Sequence, residues 1–279
     1  ALKASTTASG NTAVGTDALD SNTTGSSNTG VGWGVLQTNT TGSSNIAIGR
    51  NSLYVNTTGS QNTSVGVESL DANTTADNNT AVGFASLGAN TTGAENSAVG
   101  RGALGVNTTG CRNTAMGLNA LGANISGERN TAISRGALAA NTTADQNTAV
   151  GHNSLVANTT GTQNVAVGAL ALDANTTAAQ NTAVGVCALT TNITGCHNAA
   201  VGYGSLLFNT TGNRNSAFGR EAMYANTTGS ENTGIGNAAL TRNTTGTVST
   251  AVGREALCGQ TTGDNNTGVG YQALKVSTT

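Results

Sequence analysis

Apolar and polar positions recur along this chain in a fixed 17-residue pattern. The unit N-T-A-V-G-x-x-A-L-x-x-N-T-T-G-x-x begins at Asn11, Asn28, Asn45, Asn62, Asn79, Asn96, Asn113, Asn130, Asn147, Asn164, Asn181, Asn198, Asn215, Asn232, Ser249 and Asn266, with no insertion or deletion. A constant period of this kind marks a repeat architecture and overrides any local reading of secondary structure. Residues are referred to below by their position in the unit, from 1 (Asn) to 17. Positions 3, 4, 8 and 9 are apolar or small, position 5 is Gly in every unit but the one carrying Ser134, and position 15 is Gly or Ala.

Helical periodicity is missing, and 17 residues are too few for a helix-pair repeat or a leucine-rich repeat. Two β-prone stretches, positions 2–4 and 8–9, are separated by Gly and Asn corners, which predicts a strand–turn–strand–turn coil. The expected fold is all-β: a β-solenoid, or β-roll, of about 16 rungs formed by one repeat array over residues 1–279. Constancy of Gly at position 5 implies a corner with positive φ or a close backbone approach. Positions 4 (Val14, Val31, Ile48 and so on) and 9 (Leu, with Met223 the exception) are expected to form the inner row. Neighbours on a strand face opposite ways, so the small residues at positions 3 and 8 are expected to face a partner copy, making the protein a homo-oligomer. Ala1 falls at unit position 8 and Thr279 at position 14. The expectation is an uncapped array, either a piece of a longer one or a subunit that stacks end to end.

Composition narrows the functional classes. Charged residues make up 9% of the chain, aromatics 3%, and Pro is absent. Such a polar, low-complexity chain could be disordered, but the strict apolar period argues otherwise. A net charge of −2 gives no footprint for nucleic acid or an anionic membrane, and no apolar run is long enough for membrane insertion. Cys111 and Cys196 share position 16 but stand five units apart, beyond disulfide reach. With Cys187 and Cys258 they read as free thiols, an inter-chain bond being the alternative.

All 24 charged residues fall at positions 6, 7, 10, 11, 16 or 17, which are therefore expected to face solvent. Position 6 carries Trp33, Phe84, Tyr203 and Tyr271 together with Arg50 and Arg101, residue types that dominate binding hot spots. They read as ordinary surface residues or as a ligand-contact ridge. The Asn columns at positions 1 and 12 read as hydrogen-bonded ladders. The position-12 triplets also match the N-glycosylation sequon, with Asn22, Asn39, Asn56, Asn124 and Asn192 as examples. Catalytic chemistry is not encoded. His152 and His197 share no unit position, no cofactor motif is found, and the adjacent-rung carboxylates Glu128 and Asp145 are accompanied by Arg112 and Arg129. The expectation is a protein that is not an enzyme and holds no metal or cofactor.

The segments Asn147-Thr148-Ala149-Val150-Gly151 and Ala188-Leu189 resemble the N-T-A-V-G-x-x-A-L arrays of phage tail-fibre proteins, and more distantly the head repeats of trimeric autotransporter adhesins. The resemblance implies a left-handed β-roll, often trimeric, in an extracellular rod. The expectation is a repeat array without stalk, anchor or chaperone segment, and its period is longer than that of adhesin-head rungs. The leading expectation is a structural shaft of an extracellular or virion fibre, with itself as partner. An adhesin that contacts a cell-surface glycan or protein is the alternative. Ice binding is the least favoured, because the adjacent Thr23 and Thr24 of a unit would point to opposite faces if extended.

Overall fold

The computed structural model describes residues 1–276, so Thr279 lies outside the described residues. Every unit contributes one three-residue strand at positions 2–4, from β1 (Thr12–Val14) to β16 (Thr267–Val269). The chain divides into two compact units, residues 1–143 and 144–279. Within each, every strand pairs in parallel with those of the neighbouring repeats. Register is fixed by unit position, as Thr12↔Thr29, Ala13↔Gly30 and Val14↔Val31 show. Each unit is thus a β-solenoid with one 17-residue repeat per turn. Backbone bonds such as Thr29 N to Asn45 O (2.8 Å) and Gly32 N to Val14 O (2.8 Å) tie each rung to both neighbours.

The expected second strand at positions 8–9 is a turn. Leu at position 9, and Met223 in its place, adopts φ between 47° and 53° in every rung. Left-handed backbone costs a non-glycine residue about 1–2 kcal/mol. In return, positions 8 and 9 both point inward, which two consecutive strand residues cannot do. The position-9 residues from Leu19 to Leu257 are fully buried, and so are Ala18 and Val35 beside them. Burying a Leu side chain is worth about 1.5–3 kcal/mol, enough to offset the strained φ.

The strand faces are also reversed from expectation. Position 3 points into the core, where Ala47, Ala81 and Ala98 have no exposed surface. Position 4 points out, with Val14, Ile48, Met116 and Phe218 all exposed. The inner rows are therefore positions 3, 8 and 9, and the small residues line the interior instead of facing a partner. Packing there is compensated locally. Where position 8 grows to Val35, position 3 shrinks to Gly30, whose Cβ would lie 3.2 Å from Val35 Cγ1. Where position 9 is Met223, Gly234 provides the space, since a Cβ would lie 2.8 Å from Met223 Cγ. Where position 8 is Ser, its hydroxyl donates to the position-5 carbonyl, as from Ser154 to Gly151 O at 2.9 Å, except at Ser52, which donates to Ser64 O at 3.1 Å.

The two glycine positions differ in cause. Position 5 needs φ near 130° and leaves no room: a Cβ on Gly100 (φ 130°) would stand 2.7 Å from the Gly117 carbonyl oxygen. At position 15 the φ is ordinary and only close approach matters, so Ala76, Ala144 and Ala178 are accommodated and buried.

Two asparagine ladders brace the interior. In the position-12 column, Asn39 Nδ2 donates to Asn22 Oδ1 (2.8 Å) of the preceding rung and to Gly42 O (2.9 Å) of its own. In the position-1 column, Asn28 Nδ2 donates to the same Gly42 O (2.8 Å), while Asn28 Oδ1 accepts from the backbone N–H of Asn45 (2.9 Å). Each position-15 carbonyl thus collects both amides of its rung. Buried amides need partners to avoid a desolvation cost, and here the repeat supplies the partner from the adjacent copy of itself. The ladder is modified once, at Ser249 and Gln260. Gln260, longer than Asn by one methylene, reaches Ser249 Oγ at 3.0 Å and Gly263 O at 2.6 Å. A shorter position-1 side chain is met by a longer position-12 one.

Candidate interaction surfaces

Strand geometry sends positions 2 and 4 to the same outer face. The face reads T-x-V, rung after rung, with Ile, Met or Phe replacing Val in places and Val165 or Ala199 replacing Thr. It carries no charge. Eleven of its sixteen position-4 side chains are exposed, up to 68% at Val269, and the other five are half-buried. At on the order of 60 Å² each, the eight rungs of either compact unit present about 500 Å² from that column, at the upper end of the few hundred Å² at which exposed apolar patches acquire meaning.

The position-6 residues lie on the surface. Trp33 and Tyr203 are about half exposed (51% and 55%), and Phe84 and Tyr271 are exposed too. They do not form one uniform ridge. Arg101 lies over the Phe84 ring at 5.8 Å, and Arg254 lies over Tyr271 at the same distance. Arg50 is held elsewhere, by Glu68 at 2.6 Å. Further ion pairs, Arg112–Glu95 at 3.0 Å and Arg214–Glu231 at 3.3 Å, join adjacent rungs. All are solvent-exposed and each is worth at most about 1 kcal/mol.

The sequon asparagines are interior groups. Asn22, Asn39, Asn56, Asn124 and Asn192 have no exposed surface. Each spends its amide nitrogen on the carbonyl three residues on, at 2.9–3.0 Å. In the folded chain the nitrogen that a glycan would occupy is enclosed and hydrogen-bonded.

Titratable groups are dispersed. Burial pushes the carboxyls of Asp71 and Asp173 above the ordinary range. Glu255 is held below it by hydrogen bonds from Lys275 and Gln272, and Asp264 by bonds from the Thr247 backbone and hydroxyl. These are rung-to-rung contacts on open surface. Glu128 and Asp145 fall in different compact units. Cys111, Cys187, Cys196 and Cys258 are free and half-buried. Among the described residues no three His, Cys, Asp or Glu side chains are grouped to hold a metal ion, and no helix is long and apolar enough to cross a membrane. One shallow depression is lined by Arg242, Glu255, Cys258 and Lys275. Another is lined only by small residues, Val106 and Asn119.

No protein-family model matches the chain, and no characterised protein matches it in sequence.

Proposed function

We propose that this protein is a non-catalytic structural element, the rigid shaft of an extracellular or virion fibre, and that copies associate laterally through the T-x-V face. One observation carries the reading: an uncharged aliphatic sheet face that offers about 500 Å² from the position-4 column of each compact unit, the same order as the roughly 800 Å² that each partner contributes to a standard protein–protein interface. Every charge lies on other positions of the unit, so close approach of two such faces strands no ion. The β-branched columns are pre-ordered by the ladder beneath, which keeps the entropic cost of association low. A trimer is the assembly suggested by the resemblance to tail-fibre and adhesin repeats. Sedimentation velocity tests the proposal. The unmodified chain sediments as an oligomer, and Val99→Lys with Ile133→Lys yields monomers of unchanged circular dichroism. A chain that stays monomeric at tens of micromolar overturns it.

The same face favours one other reading, adsorption to ice. Thr hydroxyls and Val methyls alternate at about 6.6 Å along the strand and about 4.8 Å between rungs, a flat regular array without charge. The adjacent Thr23 and Thr24 do not make such a surface, but positions 2 and 4 do. A monomer that shows thermal hysteresis, lost in the Val99→Lys, Ile133→Lys variant, supports this second reading against lateral association.

A further inference from the structure

Two of the position-6 aromatics belong to a constellation that the repeat does not require. In one turn Trp33 precedes Gly34, and the next turn brings Arg50 at position 6 and Tyr54 at position 10. The same four residue types, with Tyr in place of Trp, recur as Tyr203, Gly204, Arg220 and Tyr224, ten units of 17 further along. Tyr54 and Tyr224 are the only aromatics at position 10, and each stands beside a turn whose position 7 is Gly. Both tyrosine rings lie across that bare backbone. A Cβ on Gly34 would meet Tyr54 Cδ2 at 3.3 Å, and one on Gly204 would meet Tyr224 Cδ2 and Cε2 at 3.6 Å. The second ring is also fixed by an edge-on contact with Phe208, 5.1 Å between centroids.

Each constellation offers two adjacent aromatic surfaces, one projecting and one laid flat. Beside them stands a guanidinium already matched by a carboxylate, Arg50 with Glu68 at 2.6 Å and Arg220 with Glu221 at 2.9 Å. Such a pair has spare donors and acceptors but little net charge. The other two ridge aromatics, Phe84 and Tyr271, are also exposed, but each has an arginine 5.8 Å from its ring centroid, Arg101 and Arg254, in place of a position-10 tyrosine beside a bare glycine.

We infer that Trp33–Tyr54–Arg50 and Tyr203–Tyr224–Arg220 are two copies of a carbohydrate-contact platform whose ligand is a neutral hexopyranose polymer. The axial C–H face of a pyranose stacks on an exposed aromatic ring, and the paired guanidinium and carboxylate take its hydroxyls. The matched charge disfavours an acidic glycan. Each site is contained in one compact unit, and a polymer offers either site many equivalent sugar units. The inference goes beyond the shaft reading and does not depend on lateral association, because positions 6 and 10 lie outside the T-x-V columns.

Trp33 is the only tryptophan, so its fluorescence reports the first platform directly. The full chain is titrated with laminarin, dextran and galactomannan, with hyaluronan as the acidic comparison, and is run in affinity gels containing each polymer. Saturable quenching or a blue shift with at least one neutral polymer is expected, together with retardation in that gel. Tyr54→Ala weakens the Trp33 fluorescence titration about tenfold, a loss of roughly 1.4 kcal/mol, and Tyr203→Ala removes the retardation that remains in Trp33→Ala, while Phe84→Ala leaves both readouts unchanged. Circular dichroism and melting temperature confirm that each variant is folded. Absence of binding to all three neutral polymers, binding to hyaluronan alone, or full retardation by the Trp33→Ala, Tyr203→Ala double variant overturns the inference.

Discussion

Replacing Asn107 by Ala tests whether the amide ladder holds the solenoid together. Asn107 has no exposed surface. It donates to Asn90 Oδ1 (2.9 Å) and Gly110 O (3.0 Å), and accepts from Asn124 Nδ2 (2.8 Å). Gly110 O keeps its second donor, Asn96 Nδ2 at 2.9 Å, and Asn124 keeps its bond to Gly127 O at 3.0 Å. The substitution therefore strands two buried groups, Asn90 Oδ1 and one N–H of Asn124. A stranded buried polar group costs about 1–3 kcal/mol, so the expected loss for two is about 2–6 kcal/mol. Guanidinium unfolding reads the total. Hydrogen exchange, followed over residues 90–127, shows whether the loss is confined to the rungs on either side, as nearest-neighbour coupling in repeat proteins requires. Thr109→Ala, at an exposed position two residues away, is the control and is expected to stay within about 0.5 kcal/mol. Asn107→Asp sharpens the test. An ionised carboxylate there turns oxygen lone pairs toward Asn90 Oδ1 and Gly110 O, so its pKa is raised by burial and by these acceptors. A raised acid pKa means the folded state holds the proton more tightly, and stability falls as pH rises through that pKa. Asn107→Asp is then less stable than Asn107→Ala at neutral pH and recovers on acidification. A loss below about 1 kcal/mol for Asn107→Ala, with no local change in exchange, would refute the reasoning.

Three further outcomes are expected. Ser134 occupies the position-5 corner at φ 114°, where every other unit has Gly, so Ser134→Gly raises thermal stability by about 1–3 kcal/mol, the scale of a strained backbone residue. Ser249→Asn and Gln260→Asn each destabilise alone, while the pair together restores the regular ladder, and a double-mutant cycle gives a favourable coupling of about 0.5–3 kcal/mol. Asp173 has its carboxyl pushed up by burial and its Oδ1 without a hydrogen-bond partner among the described residues. Its contribution opposes folding once ionised, so stability falls as pH rises from the ordinary Asp value of about 3.9 through the raised one. Asp173→Asn flattens that part of the pH–stability curve in thermal melts.

The repeat, the rung and the location of every charge were legible in the sequence, because a period of 17 admits few architectures and charge tolerates only the outside. The Gly corner was legible too, for φ near 130° excludes almost all else. Misreading began with the Ala-Leu pair at positions 8–9. Two apolar residues between turns look like a strand, and nothing in composition announces a Leu in the left-handed region. Reading Leu19 as a strand residue also reads Val14 as inside and Ala13 as outside by alternation, which hides the T-x-V face. A signal for it existed: position 3 admits only Ala, Gly and Ser, whereas position 4 ranges from Val to Met116 and Phe218. Size tolerance marks the open side and size restriction the closed one. The ridge residues were found as surface positions, but which rings were capped by Arg depends on rotamers that no spacing encodes.

The bonds that tie one rung to the next, whether backbone amides, asparagine ladders or ion pairs, join residues about one unit apart. Contact distance along the chain is therefore set by the repeat and stays the same however many repeats are added. Folding rates of small proteins fall as mean contact separation grows relative to length, and here that ratio shrinks with every added rung. The loop that must close to add a rung is always 17 residues, so its entropic cost does not grow with the array. Lengthening such a protein in whole units slows neither the addition of the next rung nor the closing of any ladder, whereas a single inserted residue shifts the register of every contact it separates.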